Sequence, residues 1–194
     1  MRKNIYIFGV ALLIITVVQQ LFLSISSEEL EKTNRVTERA ILTPNSAQVE
    51  ITTLLDPGIW RLVSSVTEVG DGTGVKTSET GLAVILHSTD ISTLVSSDTE
   101  LRLHMTADKK INTIEMLYGE IEFTAAGHFE SDESYEVYTP KLVISTGQAS
   151  FSLEVGLEER LSILEGEIGV YIKDEFVGVE QGEVLLIDNQ GWTI

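Results

Sequence analysis

The sequence predicts an all-β domain, a short solenoid or sandwich, carried behind an N-terminal transmembrane helix and a short helical stalk. Three observations predict it. The segment Ile5 to Ile25 is apolar and uncharged. From Gln48 onward apolar and polar residues alternate with period two, the mark of half-buried strands. A Gly-Glu-aliphatic element recurs in the second half of the chain.

The first element is the anchor. The stretch IYIFGVALLIITVVQQLFLSI, about 20 residues or roughly 30 Å as a helix, matches a bilayer core. Arg2 and Lys3 precede it, while Glu28, Glu29 and Glu31 follow it, so the positive-inside rule orients the N-terminus inward. A cleaved signal peptide is the alternative, with Ser24-Ile25-Ser26 as its small-x-small site. Both readings carry the rest of the chain across the membrane. Residues 1–4 then form a cytoplasmic stub, 5–25 the anchor, 26–45 the stalk and 46–194 the β domain. The stalk reads as helix because Glu28–Lys32 and Glu31–Arg35 are favourable i,i+4 pairs, and Pro44-Asn45 ends it. Its apolar stripe of Leu30, Val36 and Ala40 is thin, which suits a solvated spacer; a dimerising stalk, hence a homo-oligomer, is the alternative.

Composition narrows the function classes. The chain of 194 residues carries a formal −17; beyond the anchor 11 basic and 30 acidic residues leave −19. Nucleic acid is an unsuitable partner, because its binding rests on clustered Lys and Arg that neutralise phosphates. There is no cysteine, so disulfides, thiol nucleophiles and Cys-ligated zinc are excluded, and burial must supply the stability.

The strands follow in order. Leu101, Leu103 and Met105 alternate with Glu100, Arg102 and His104; Ile121, Phe123 and Ala125 with Glu120, Glu122 and Thr124; Phe151, Leu153 and Val155 with Ser150, Ser152 and Glu154. Ile168, Val170 and Ile172 and then Val184 to Ile187 complete the set. Turn signals separate them at Gly70-Asp71-Gly72-Thr73-Gly74, Ser131 to Ser134, Asp174-Glu175 and Asp188-Asn189. Leu117-Tyr118-Gly119-Glu120-Ile121 matches Leu164-Glu165-Gly166-Glu167-Ile168, and Gly182-Glu183-Val184-Leu185 is a shorter echo. A winding β-chain needs a glycine at each tight corner, with an outward Glu and an inward aliphatic after it. Gly119, Gly166 and Gly182 are therefore expected as structural corner positions, against the plainer reading of ordinary turn–strand junctions.

No catalytic, metal or cofactor residue emerges. His104 shares the polar phase of its strand, His87 ends an apolar strand at an expected rim position, and His128 sits in a polar loop. No pair of histidines has the i,i+2 or i,i+4 spacing of a local metal site. Gly70 to Thr77 approaches a phosphate-binding loop, but Val75 replaces the glycine before Lys76 and a strand follows, so a glycine-rich hairpin turn is expected. Acidic pairs such as Glu158-Glu159 and Asp132-Glu133 lie in polar stretches and are expected to be solvated; a calcium loop at Glu130 to Glu133 lacks a ligand ladder. Tyr118, Tyr135, Tyr138 and Tyr171 with Trp60 and Trp192 offer an exposed aromatic strip, against which core or cross-strand packing is the default.

Taken in order, Gly74-Val75-Lys76-Thr77 opening into Leu82 to Leu86, Ser97 to Leu103, Leu117-Tyr118-Gly119-Glu120-Ile121, Tyr135 to Pro140, and Leu161 to Val170 resemble the FecR family. The likeness covers roughly Asp71 to Asp188. It implies a periplasmic, FecR-like β domain behind a single inner-membrane helix of a bacterial envelope protein, N-terminus inside. Family transducers grip a sigma factor with a cytoplasmic segment; with Met1 to Asn4 alone inside, the likeness here implies fold and location without that grip. The expected function is a non-catalytic binding or assembly module for another envelope protein or cell-wall component. The alternatives are a truncated FecR-type transducer working through a second membrane protein, or a cupin-like metal enzyme suggested by Ile163 to Ile168 and Gly182 to Ile187.

Overall fold

The computed structural model describes residues 39–194, apart from 47, 106–110, 126–133 and 174. The expected anchor, most of the stalk, His128 and the Glu130 to Glu133 loop lie outside the described residues.

The first half contributes β1 (Arg39–Pro44), β2 (Val49–Thr52), β3 (Arg61–Val63), β4 (Thr67–Gly70), β5 (Gly74–Thr77), β6 (Ala83–Leu86), β7 (Ile91–Val95) and β8 (Glu100–His104). A long β9 (Ile111–Ala125) follows. The second half contributes β10 (Ser134–Tyr138), β11 (Leu142–Thr146), β12 (Ser150–Val155), β13 (Glu159–Glu165), β14 (Glu167–Ile172), β15 (Glu175–Glu180), β16 (Val184–Ile187) and β17 (Trp192–Thr193). The described residues contain no helix. Strand β1 moves the domain boundary: residues 39–44, assigned from sequence to the helical stalk, pair with β4 and β6. Helical i,i+4 charge pairs stop at Arg35, and Ala40 and Leu42 are then buried on alternate positions.

Two ladders share β9. Sheet 1 runs β4-β1-β6-β7-β9-β12-β13-β16-β17. Sheet 2 runs β3-β2-β5-β8-β9-β10-β11-β14-β15. Every pairing is antiparallel except β9 with β10. The N-terminal part of β9 lies in sheet 2 and its C-terminal part in sheet 1, and the change falls at Gly119, where Val155 is the first β12 partner. In the second half, hairpins alternate between the sheets: β10–β11 in sheet 2, β12–β13 in sheet 1, β14–β15 in sheet 2, β16–β17 in sheet 1.

The alternation read from the sequence decides which face is buried. Leu101 and Leu103 are enclosed while Arg102 and His104 are exposed; Ile121 and Phe123 are enclosed while Glu120 and Glu122 face out. The aromatic centre joins the two sheets. Phe123 of β9 stacks on its ladder neighbour Phe151 at 5.2 Å between centroids, and meets Tyr135 of β10, in the other sheet, at 5.4 Å. Each such ring contributes roughly 1.5–3 kcal/mol by burial, and each favourable ring pair about 0.5–1.5 kcal/mol more.

Gly119, Gly166 and Gly182 have φ of +100°, +83° and +87°. All three stand where the chain changes sheet, between the two parts of β9, between β13 and β14, and between β15 and β16. A Cβ on Gly119 would run into the side chain and Cα of Thr99 and lie 2.7 Å from the Asp98 carbonyl oxygen. Thr99 latches that corner, accepting a hydrogen bond from Glu120 N at 2.9 Å and donating to Glu120 O at 3.1 Å. Gly70 to Gly74 is not the hairpin turn expected from sequence. It joins β4 of sheet 1 to β5 of sheet 2, closed by Thr73 N donating to Gly70 O at 3.1 Å. The pattern of glycines marks a turn; which strands it joins depends on pairing between β2, β5 and β8, far apart in sequence.

Candidate functional site

The turns of the four second-half hairpins gather at the end of the domain where β9 bends. They are Thr139 to Lys141, Gly156 to Glu158, the Lys173 turn and Asp188 to Gly191. Register places them together, because Gly119 lies opposite Val155, Glu159 opposite Ile187, and Leu142 opposite Ile172. Between the first, third and fourth of these turns opens a cleft of about 620 Å³. Pro140, Ile172 and Ile187 supply its apolar wall, and Lys141, Lys173, Glu175, Asp188 and Trp192 its polar rim.

Hydrogen bonds hold four of the five rim groups. Asp188 Oδ1 accepts from the backbone N–H of Gln190 at 2.6 Å and Gly191 at 2.9 Å, and these bonds hold its carboxyl below the usual range. Trp192 Nε1 donates to Glu175 Oε2 at 3.1 Å, tying β17 of sheet 1 to β15 of sheet 2. Lys141 Nζ donates to the Leu157 carbonyl at 2.5 Å, and Lys173 adopts φ +57°. An indole flanked by both signs of charge above an apolar wall can hold an amphipathic ligand. Such a lining of apolar surface with a few oriented polar groups is typical of binding clefts.

Beneath the cleft lies a group whose exposure was misjudged from sequence. Glu158 is solvated as expected, but Glu159 is 1% exposed. Its Oε2 accepts from Thr139 Oγ1 at 2.5 Å, and its Oε1 has no hydrogen-bond partner among the described residues. Burial pushes its carboxyl up, against the smaller downward pull of the Thr139 hydrogen bond and Lys141. The sequence signal was available: Glu159 falls on the inward phase of β13 with Leu161 and Ile163.

The histidines separate. His104 is exposed between Glu115 Oε2 at 3.4 Å and Asp71 Oδ1 at 4.0 Å. His87 is not at the rim; it is 5% exposed, against Tyr135 and Phe123 at 5.3 and 6.4 Å between centroids. Its Nε2 meets Thr93 Oγ1 at 2.8 Å. The strand leading to His87 ends at Leu86, but the backbone continues into a tight return, with His87 N donating to Ile91 O at 3.0 Å, and this turns the ring inward. Among the described residues no three His, Asp or Glu side chains gather as a metal would require.

The aromatic residues form no single strip. Tyr135 is core. Trp60 and Tyr118 flank Lys76 Nζ at 5.7 and 5.9 Å, and Glu100 pairs with that ammonium at 3.2 Å. Hydrogen bonding to Tyr118 and to Glu100 raises its pKa. Tyr138, Val143, Tyr171 and Phe176 are successive ladder partners across β10, β11, β14 and β15, a row on the outer face of sheet 2. Tyr138, Tyr171 and Phe176 are 39%, 48% and 62% exposed, so packing across strands and exposure coexist. Phe176 was not singled out from sequence, which placed a turn at Asp174-Glu175 and read the next strand only at Val184 to Ile187.

The profile of the FecR protein family matches residues 73–169, half of the chain. Two crystal structures of a candidate anti-sigma factor from Parabacteroides distasonis ATCC 8503 share the fold, each with a TM-score of 0.52. They are 16% and 15% identical, and each match covers 60% of this chain and 55% of that one. The chain thus spans about half the length of those relatives, and at this identity the likeness is one of fold. No curated protein matches the sequence. With five sequence segments, the sheet-changing Gly119 and Gly166 and the family profile falling on the same stretch of β5 to β14, this chain belongs to the FecR family.

Proposed function

We propose that the chain is a non-catalytic, membrane-anchored binding module of the bacterial envelope, which meets its partner through the hairpin-turn end of the β domain. The observation that carries this reading is the cleft itself. Three turns from both sheets converge on it, and Trp192, Asp188 and Glu175 are held in place there by their own hydrogen bonds. Pre-ordered side chains lose little entropy on binding, which favours recognition. The family favours a role in signal transduction, so the bound component is best read as the input or the output of a signalling step. The anchor is the uncharged segment Ile5 to Ile25 with Arg2 and Lys3 on its inner side.

The test combines location with contact. A reporter enzyme active only outside the cytoplasm, fused after Ile194, is expected to be active and to stay with the membrane fraction. A photoreactive residue at Trp192 or Lys173 should cross-link one discrete partner in cells, and the same probe at Glu68, on sheet 1 at the opposite edge, should not. An inactive reporter, or equal cross-linking from all three positions, removes the proposal.

A further inference from the structure

The edge strand β15 carries a second surface, which meets the cleft only at its first residue, Glu175. It pairs with β14 on one side, and no ladder covers its other side among the described residues. Its hydrogen bonds tell which residues face that open side. Glu180 N donates to Glu183 Oε2 at 2.8 Å, and Glu180 O accepts from Glu183 N at 3.0 Å, so both backbone groups of Glu180 point away from β14. Antiparallel ladders alternate residue by residue, so Phe176 and Gly178 also present their N–H and C=O groups to the open side. At Glu180 the Glu183 carboxylate already satisfies the edge; at Phe176 and Gly178 nothing in the ladder does. Natural proteins usually blunt such edges, and a six-residue edge strand with an apolar centre is a template for strand addition.

The side chains on this outer face define the occupant. Phe176 is 62% exposed, packs over Gly169 and meets Tyr171 at 5.0 Å between centroids. Four residues along, Glu180 lies directly opposite Glu167 in the ladder, both exposed, and Glu183 follows. None of these three carboxylates pairs with a Lys or Arg among the described residues. Like charges directly opposite one another destabilise a ladder. One end of the edge therefore offers an aromatic face and the other an uncompensated negative charge.

A second copy of this chain fits badly. Antiparallel pairing of β15 with itself about Gly178 sets Glu180 against Phe176, parallel pairing stacks Glu180 on Glu180, and each chain carries −17. We propose that β15 accepts, by strand addition, an extended segment of a different protein that carries an apolar residue and a Lys or Arg four positions apart. Within the binding role proposed above, this assigns the chemistry of one partner segment; the cleft is not needed for it.

The probe is a threonine-rich nonapeptide with phenylalanine at its third position and lysine at its seventh, measured on the full chain held in detergent. Fluorescence anisotropy should show binding, and hydrogen exchange should slow in fragments spanning Glu175 to Glu180. Gly178→Pro removes one open N–H at a site where an edge strand tolerates proline, and should weaken the peptide at least tenfold with little change in melting temperature. The double variant Glu167→Lys with Glu180→Lys should reverse preference, toward a peptide with glutamate in place of lysine. The proposal fails if the lysine peptide does not bind, if Gly178→Pro and the charge reversal leave its affinity unchanged, or if exchange at Glu175 to Glu180 slows with protein concentration alone, which would make the occupant a second copy. If the peptide fails these tests while Trp192 still cross-links, the cleft reading stands and this one falls; if cross-linking is absent while the peptide binds in a Gly178-dependent way, the reverse holds.

Discussion

His87 should make the domain acid-sensitive by an amount that its surroundings allow to be estimated. The imidazole is enclosed by Tyr135 and Phe123, and burial lowers its pKa from 6.5 to about 4. The folded state therefore holds it neutral, whereas the unfolded chain protonates it near 6.5. For a base whose folded pKa is depressed, the stabilisation is complete above the unfolded value and is lost as pH falls toward the folded one. The window is thus pH 6.5 down to about 4. At 1.36 kcal/mol per unit the loss amounts to about 3 kcal/mol, a large share of the roughly 5–15 kcal/mol that a domain has in all.

Carboxylates also titrate in acid, so the contribution of His87 must be isolated by difference. Urea unfolding of the chain from Glu38 onward, with and without His87→Gln, at several pH values between 7.5 and 4, serves this purpose. The variant loses ring packing and should be less stable at pH 7.5, but its deficit should shrink by about 3 kcal/mol on reaching pH 4. Should the variant not fold, the His87 ring resonances of the native domain report the same quantity and should stay unshifted until close to pH 4. A deficit constant across the range, or an imidazole titrating near 6.5 in the folded protein, refutes the reasoning.

Two further outcomes follow from the corners and from the second buried ionisable group. Gly182→Ala, with nothing near its added Cβ, should cost about 1 kcal/mol of left-handed strain; Gly166→Ala, whose Cβ would lie 2.8 Å from the Gln148 carbonyl oxygen, should cost more; Gly119→Ala, blocked by Thr99, should cost most. Exposed Glu167→Gln should move the melting temperature little, and an equal cost at all three glycines would deny them the corner role. Glu159 has a raised folded pKa, so its stabilisation is present below the unfolded value of 4.5 and lost as pH rises through the folded one. Glu159→Gln should accordingly melt higher than the native domain at pH 8, with the advantage fading toward pH 4; a flat difference would show that the carboxyl is not shifted upward.

What the sequence disclosed, it disclosed through period-two alternation and through glycine. Leu101 and Leu103, Ile121 and Phe123, and Phe151 and Leu153 could be placed inward because each strand carries its own contrast with polar neighbours. Gly119, Gly166 and Gly182 stood out because a Glu and an aliphatic residue follow each. The failures share one cause. His87, Glu159 and the Gly70 to Gly74 turn depend on which distant strand lies alongside. His87 is buried because β9 and β10 bring Phe123 and Tyr135 over it. Glu159 is buried because β13 pairs with β16 beneath the cleft. Local composition at Glu158-Glu159 is polar, and it described Glu158 correctly while hiding its neighbour. The cleft was invisible for the same reason, since its rim is drawn from three turns that approach one another only through ladder register.

The two buried ionisable groups act in opposite directions on the stability of the domain. His87 penalises acid through the β6–β7 turn and the aromatic centre; Glu159 penalises a rise in pH above 4.5 through the hairpin-turn end, where its neighbours are Thr139 and Lys141. They share no hydrogen-bond partner, so their effects should add. A domain built only for stability would fill both positions with apolar side chains, because buried polar groups with an unpartnered atom cost free energy. At Glu159 that cost falls directly under the proposed binding cleft. A ligand or partner that brings a donor or a positive charge near Thr139 and Lys141 would favour the ionised carboxylate, so binding there and the protonation of Glu159 must be thermodynamically linked.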